Sequence, residues 1–587
     1  MGTGMKGWRW TSPLRMMFPV TAQPGILALS LLGCVCGLLA GLAISALHHL
    51  IDFARWLFEQ PGVFSMQSLP QLPTQFWASI LGALLVGLIF QFVKARHRHT
   101  GLVHIVERLM HHQGQLPTRN AWANFLGTVI AAGSGQVVGR EGAAMHLGAS
   151  GGSMIGKYLE LPHSTVRALV GCGAAAGISA SFNTPLAGVI FTMEVIIMEY
   201  SVLGLAPTIV AAVSANAVAH LWLTAHPTLS VSVAEIESLS QLPILLAAGA
   251  TLGLIATYYQ RAIAWLTVRA RDIPTWINMS ATGLITALFA MALPLTSVDG
   301  FININQALAG DMPLSTSLIL GGIVLICSSL AIATAIPGGI IMPCMLVGAC
   351  LGSALGHLSA QATGLPAEQV ALFALLGLGA MFGAVLQAPL TALIVILELS
   401  GRTDMVFAAM ITVITAVLVC RETNHGESIV SLLLKNRGLD YRNDPVSRSL
   451  RRLSVIPTMN RNFAVSEESL TLDQARDLLR GKPDWLLVRP EKSPAFVIGA
   501  ADVQYAVTVA SEEDDDNEEP RLINLAKIPG DRRQCAPVPL RASLQEASET
   551  FDSSGVEALY VERTTRNDPT VIYGILTRKA IDKAYRT

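Results

Sequence analysis

The chain has 587 residues, 52% of them hydrophobic and only 14% charged, with a net charge of −1. A soluble protein carries about 25% charged residues, yet between Phe301 and Ser400 this chain has only Asp311, Glu368 and Glu398. So few charges cannot cover a water-soluble body of this size, which excludes a single soluble enzyme, and the near-neutral balance gives no electrostatic footing for nucleic acid.

Residues 1–24 carry Lys6, Arg9 and Arg15 and read as a cytoplasmic N-terminal segment. These cations hold the start of a first membrane helix, Gly25–Leu47, on the inner side. That apolar stretch is too long for the core of a signal peptide. Apolar segments follow at Phe76–Val93, Trp122–Val138, Ala143–Gly156, Val166–Ser181, Ala187–Val202, Leu205–Leu223 and Leu242–Ile263. After a break come Ala281–Leu295, Leu314–Ile332, Ile340–Ala354, Gln369–Leu386, Leu390–Leu399 and Met405–Val419. Several are shorter than the roughly 20 residues that cross a bilayer. Short apolar segments broken by Gly and Pro predict half-spanning helices whose free ends line a polar cavity, the pattern of a transporter or channel.

An internal repeat sharpens this reading. Met145-His-Leu-Gly148-Ala149-Ser-Gly-Gly152-Ser153-Met-Ile-Gly156 returns as Met345-Leu-Val-Gly348-Ala349-Cys-Leu-Gly352-Ser353-Ala-Leu-Gly356. Gly171-Cys-Gly173-Ala174-Ala-Ala-Gly177 is answered by Gly377-Leu-Gly379-Ala380-Met-Phe-Gly383. Pro185-Leu186 has Glu194 nine residues after the proline, and Pro389-Leu390 has Glu398 at the same spacing. Three matches in one order predict two related halves, with parallel or inverted orientation left open. Glycines four apart form a stripe that lets helix backbones approach closely.

Each stripe is preceded by a glycine-rich break, Gly133-Ser-Gly135-Gln-Val-Val-Gly139-Arg140-Glu141-Gly142 and Ile336-Pro337-Gly338-Gly339-Ile340-Ile341-Met342-Pro343. A helix start offers unpaired N–H groups and a partial positive charge. Two such starts converging at mid-membrane would hold an anion without the grip of a full cation. Arg140 and Glu141 are ionisable groups beside an apolar helix, where charge is costly and marks function. The eight cysteines form no C-x-x-C and no zinc spacing, and read as small packing residues. No H-E-x-x-H and no convincing G-x-S-x-G is present, which argues against an intramembrane enzyme.

Taken together, Gly139-Arg-Glu-Gly142, Gly338-Gly-Ile-Ile-Met-Pro343, Gly173-Ala-Ala-Ala-Gly177 running to Phe182-Asn-Thr-Pro-Leu-Ala-Gly188, and Gln387-Ala-Pro-Leu-Thr391 with Glu398 resemble the CLC family of chloride channels and chloride/proton exchangers. The resemblance spans residues 25–441. It implies an all-α polytopic membrane domain of two inverted repeats with broken helices. It also implies a homodimer with one pore per subunit, in a bacterial inner membrane, with both termini cytoplasmic. Glu141 resembles the gating glutamate, whose carboxylate competes with chloride, so that acid or voltage gates the pore. N–H groups near Arg140, Glu141 and Gly142 would line the outer anion site, and those of Ile340 and Ile341 the central one. No cofactor is required beyond chloride as ligand.

The departures carry information. The family's G-x-G-x-P region reads His99-Thr100-Gly101-Leu102-Val103 here, and Thr100 is the candidate for the hydroxyl that faces the central anion. The proline that usually follows Gly142 is Ala143. The tyrosine that closes the inner side of the central site falls at Val430. The inner proton-relay glutamate of exchangers falls at Val195, beside Glu194. Valine cannot carry a proton, which favours channel-like conduction over strict exchange. Glu194 could substitute, or could serve a helix end. His146 reads as a satisfied helix histidine rather than a relay.

The tail, residues 451–587, holds about half of the charged residues and switches to short β runs and amphipathic helices. A helix-like Thr471–Arg480, then Trp485–Val488 and Ala495–Ile498, is followed by a helix-like Leu544–Ser553, Ala558–Val561, Val571–Ile575 and a helix-like Arg578–Tyr585. Two such copies resemble a small cytoplasmic α/β tandem pair of CBS modules, a regulatory domain that can take an adenine nucleotide or serve dimer contact. The run 512–519 between them is a solvated acidic loop.

Overall fold

The computed structural model describes residues 25–60, 74–94, 97–99, 101–222, 241–292, 300–363, 369–439, 449–451, 453–490, 494–512, 522–565 and 568–586. The chain divides into two compact units, one of Gly25–Tyr158 with Val166–Tyr441, the other containing Arg442–Thr587 together with Leu159–Thr165. Thr100 and residues 513–519 of the acidic run lie outside the described residues.

The first unit is helical. Its first half runs α1 (Ile26–Glu59), α2 (Thr74–Phe92), α3 (Gly101–His111), α4 (Thr118–Gly133), α5 (Glu141–Tyr158), α6 (His163–Phe182), α7 (Pro185–Phe191) with a π-helical turn (Thr192–Ile196), and α8 (Val202–Trp222). The second runs α9 (Leu242–Ala270), α10 (Thr275–Ala292), α11 (Gly300–Leu308), α12 (Leu314–Ala333), α13 (Ile341–Thr363), α14 (Gln369–Leu386), α15 (Pro389–Ser400), α16 (Val406–Thr423) and α17 (Ile429–Asn436). Nine of the described helices are long and apolar enough to cross a bilayer, and α7 and α15 are among the shorter apolar ones. Burial explains why apolar periodicity is weak here. Every residue of α14 is buried, so it needs no polar face. On α1, Leu27, Leu31, Leu39, Phe53 and Trp56 are all more than half exposed, an apolar surface suited to lipid.

The internal repeat is built into the packing. α5 lies on α6 so closely that a Cβ on Gly148 would sit 2.1 Å from the Gly173 carbonyl oxygen, and one on Gly152 would sit 2.1 Å from that of Leu169. In the second half a Cβ on Gly348 would come within 2.3 Å of the Gly377 oxygen, and one on Gly352 within 2.2 Å of the Phe373 oxygen. These contacts correct the register read from sequence. Gly173, not Gly171, is the counterpart of Gly377. With small residues at so many positions, two alignments look alike in sequence, and only the backbone contact distinguishes them.

The Pro-to-Glu spacing also has a physical basis. Glu194 accepts from the N–H groups of Leu390 at 3.1 Å and Thr391 at 2.8 Å, and from the Thr391 hydroxyl at 2.6 Å. Glu398 accepts from those of Leu186 at 2.8 Å and Ala187 at 2.7 Å. Each half therefore caps the proline-started helix of the other. The caps satisfy N–H groups that no helix of their own can reach.

The second unit repeats one β-α-β-β-α order. Its first copy is β1 (Phe463–Ser466), β2 (Ser469–Thr471), α18 (Leu472–Arg480), β3 (Trp485–Val488), β4 (Phe496–Gly499) and α19 (Ala500–Glu512). A short β5 (Leu522–Asn524) pairs with β2, and the second copy is β6 (Arg532–Pro539), α20 (Leu544–Ser554), β7 (Ala558–Thr565), β8 (Asp568–Thr577) and α21 (Arg578–Arg586). β1 pairs parallel with β3, and β6 with β7; β3–β4 and β7–β8 are antiparallel, and β4–β6 joins the two copies into one sheet. Reciprocal capping boxes, Thr471 with Gln474 and Ser543 with Glu546, open α18 and α20. Burial pushes the Cys535 thiol up to about 12, so it is inert as a nucleophile.

Leu159–Thr165, which sequence reading placed in the membrane domain, packs within this second unit. Glu160 receives Arg541 at 2.7 Å and Arg563 at 2.5 Å, and the His163 N–H donates to the Arg541 carbonyl at 3.0 Å. His163 Nδ1 lies 3.0 Å from the Glu546 carboxylate.

Candidate functional site

The two glycine-rich breaks meet. Gly139 and Gly339 form an antiparallel bridge, with Gly139 N–H donating to Gly339 O at 2.9 Å and Gly339 N–H to Gly139 O at 2.6 Å. The bridge brings the starts of α5 and α13 together, which puts Arg140, Glu141 and Gly142 beside Ile340 and Ile341.

Glu141 is the first residue of α5 and has no exposed surface. Its Oε1 accepts from the N–H of Met342, in the first turn of α13, at 2.7 Å. The N–H groups of Ile341 and of Glu141 itself also face the carboxylate, and Arg140 is near enough to act on it electrostatically. Oε2 has no hydrogen-bond partner among the described residues. Facing backbone requires glycine at Gly142 and Gly339, and Gly139 leaves the space that the carboxylate occupies. A Cβ on Gly139 would fall 1.8 Å from Oε1, one on Gly339 2.8 Å from it, and one on Gly142 2.4 Å from the Gly338 oxygen.

This geometry has a direct chemical meaning. A carboxyl group from one half lies on the N-terminal amides of a helix of the other, where free N–H groups and the helix dipole favour anions. The same donors would serve a monatomic anion once the carboxylate leaves or is protonated. Met342 was not singled out in sequence, because a backbone donor leaves no mark in residue type.

The inner positions gather around α3, which packs against both the π-helical turn and α17. Val195 is 4% exposed on that turn and Val430 1% exposed on α17. Neither has a group that can hold a proton. Glu194 has both oxygens committed to the start of α15. His146 departs from expectation. Its Nε2 lies 2.8 Å from His104 Nδ1, but its Nδ1 is buried without a partner among the described residues, so it is not a satisfied helix histidine. Sequence reading passed over His104, although an ionisable residue in the apolar run Gly101-Leu-Val-His-Ile-Val106 is a visible signal. No group of three or more His, Cys, Asp or Glu that could hold a metal occurs among the described residues.

Residues 82–421 match the family model described as voltage gated chloride channel. A putative chloride channel protein ClcB-like from Ralstonia nicotianae is 28% identical over 436 residues, which cover 71% of this chain and 98% of that protein. Among solved structures, a slow cyanobacterial Cl−/H+ antiporter superposes with a TM-score of 0.63 at 19% identity, over 72% of this chain and 100% of that one. A eukaryotic CLC transporter gives 0.60 at 18% identity over 94% and 98%. A CLC-type fluoride/proton antiporter gives 0.55 at 23% identity over 69% and 97%.

Proposed function

This chain belongs to the voltage-gated chloride channel family, an integral multi-pass membrane protein of chloride transport, and we propose that it conducts chloride passively through a pore gated by Glu141. The observation that carries the reading is the buried Glu141 carboxylate on the N–H of Met342, an anion of the protein in a place built for an anion. In the closed state the carboxylate holds the site. Protonation, or displacement by incoming chloride, frees the amides of Ile341 and Met342 for the permeating ion. Arg140 and Gly142 shape the outer position and Ile340 and Ile341 the central one, with Thr100 as the candidate inner hydroxyl and Val430 at the inner gate. No enzymatic step or cofactor is involved.

Channel-like coupling is supported by two facts, the valine at position 195 and the commitment of Glu194 to a helix cap. A second reading is chloride/proton exchange, which the cyanobacterial and fluoride/proton neighbours are described as performing. We also propose that the halves are inverted repeats, for which the antiparallel Gly139–Gly339 bridge and the reciprocal glutamate caps speak. The protein would act as a homodimer in a bacterial inner membrane with both termini cytoplasmic. The paired β-α-β-β-α copies would be CBS modules able to take an adenine nucleotide.

The test is chloride flux from liposomes of purified protein, under a clamped potential with an internal pH probe. Chloride flux without uphill proton movement is expected. Proton movement driven by the chloride gradient would establish exchange instead, and absence of any anion flux would remove the reading altogether.

A further inference from the structure

Half-buried His97 and buried His104 and His146 form a connected, polar chain with a fixed direction. His97 Nδ1 lies 2.7 Å from Asn120 Oδ1, a carbonyl oxygen, so the nitrogen donates. Asn120 Nδ2 donates to the His99 carbonyl at 3.1 Å and faces His104 Nε2 at 3.5 Å, long for a hydrogen bond. An amide N–H facing that nitrogen requires it to be bare, so neutral His104 carries its proton on Nδ1. That proton is donated to His146 Nε2 at 2.8 Å. His146 must then carry its own proton on Nδ1, the atom without a partner. Among the described side-chain atoms of α5, the other buried polar atom without a partner is Glu141 Oε2, five residues back on the same helix. The chain thus ends on an unspent donor, and an unspent acceptor lies on the gate.

We propose that His104 and His146 form a proton-transfer pair through which protons from the inner side reach Glu141 and open the gate, a gating route beside Val195, which has no carboxylate of its own. The placement fits, because α3, which carries His104, packs on the π-helical turn that carries Val195. The transfer balances. A proton arriving at His104 Nε2 makes an imidazolium, which passes its Nδ1 proton to His146 Nε2. His146 then releases its Nδ1 proton. One proton has entered at His104 and one has left at His146, and the hydrogen bond between the rings now runs the other way. The released proton reaches Glu141 through bridging water that passes round the start of α5, because five residues of helix rise about 7.5 Å and turn about 140°, which rules out direct transfer. Afterwards His104 Nε2–H faces the Asn120 N–H, two donors in opposition, which favours return to the resting tautomers.

Other charged groups face the pair. Arg108, Arg437 and His99 lie within electrostatic reach of His104, and Arg437 is paired with Glu107 at 2.8 Å. On α5 the remaining titratable groups are Glu141, Lys157 and Tyr158, and on the π-helical turn Glu194 is held by α15.

The inference rests on Glu141 being the gate, and the experiment separates the two. Anion current is recorded in inside-out patches at fixed outer pH while the inner solution is stepped from about 7.5 to about 5.5, which raises the supply of protons to a relay about a hundredfold. The wild-type current is expected to rise roughly threefold or more. His104→Gln and His146→Gln keep a hydrogen-bonding side chain but cannot relay. Each should lose the inner-pH response while keeping the outer one, and the double variant should match either single. Glu141→Gln should lose both responses. Current at alkaline inner pH reports that each variant is folded, and His104→Asn and His146→Asn replace any that gives none. A full inner-pH response in both glutamine variants, or none in the wild type, overturns the proposal. If Glu141→Gln keeps both responses, it is the gate assignment that fails.

Discussion

Across the Gly139–Gly339 bridge, two matching stretches of backbone carry opposite chemistry. On one side α5 opens with Glu141; on the other, at the same distance from the bridge, α13 opens with Ile341. The frames agree down to the turn before the bridge, where Gln136 N–H reaches Ala131 O and Ile336 N–H reaches Ala331 O, at 3.0 and 2.9 Å. The halves thus share a scaffold and divide the labour. One presents the amides of a helix start, and the other a carboxylate that lies on them. The asymmetry has a physical reason, since two carboxylates at one bridge would repel each other.

The comparison can be broken at four levels. The largest effect is expected where both halves use the same close approach. Gly148→Val would drive its side chain into the Gly173 carbonyl and cost about 3 kcal/mol or more, with loss of folded protein in detergent by size exclusion. Gly348→Val should do the same against Gly377. Gly151→Ala, which meets nothing within 4 Å, should change the Tm little or raise it. A tolerant Gly148 would break the claim that the stripe is a packing seam.

Next comes the asymmetric position. Glu141→Gln and Glu141→Ala should retain chloride flux and lose its pH dependence, because neither side chain can hold the negative charge that competes with chloride. The check is liposome flux across a pH series, and unchanged pH dependence in both variants removes Glu141 from gating.

The reciprocal caps should give a smaller, matched effect. Glu194→Gln weakens three charge-assisted bonds to a helix start and Glu398→Gln two, and each should lower stability by about 1–2 kcal/mol, read as drops in Tm with that of Glu194→Gln at least as large. A loss of the same kind on both sides is the point of the pair. If Glu194→Gln alone alters proton movement, Glu194 is more than a cap. The smallest effect belongs to the second unit. Arg541→Ala and Arg563→Ala remove partly exposed partners of Glu160 and should cost less than about 1 kcal/mol each, yet hydrogen exchange over Leu159–Thr165 should quicken.

Much of this was readable from the chain. The broken helices announced themselves by short apolar runs between glycines and prolines, and α14 and α15 have nearly the bounds that pattern gives. Glu141 stood out because charge is expensive beside an apolar helix. In the tail, α18, β3 and β4 follow their amphipathic and β-branched patterns. β1, α19 and β6 were not read, because short mixed segments acquire their form from the sheet they join. α3 and α11 were missed as helices, since 11 and 9 residues of mixed polarity carry little periodic signal.

Residue type and spacing, then, determined the membrane class, the existence of two halves, the family resemblance and the choice of Glu141 as the candidate gate, because these depend on local hydropathy and on rare residues in fixed motifs. Tertiary structure decided what each of those residues touches. It gave the glycine register, the crossing of Glu194 and Glu398 between halves, the donor from Met342 to Glu141, and the contact of His104 with His146. Each of these joins segments distant in sequence, and the longest spans some 200 residues. A hydrogen bond or a backbone contact across such a gap depends on where the chain returns, which no local pattern of side chains encodes.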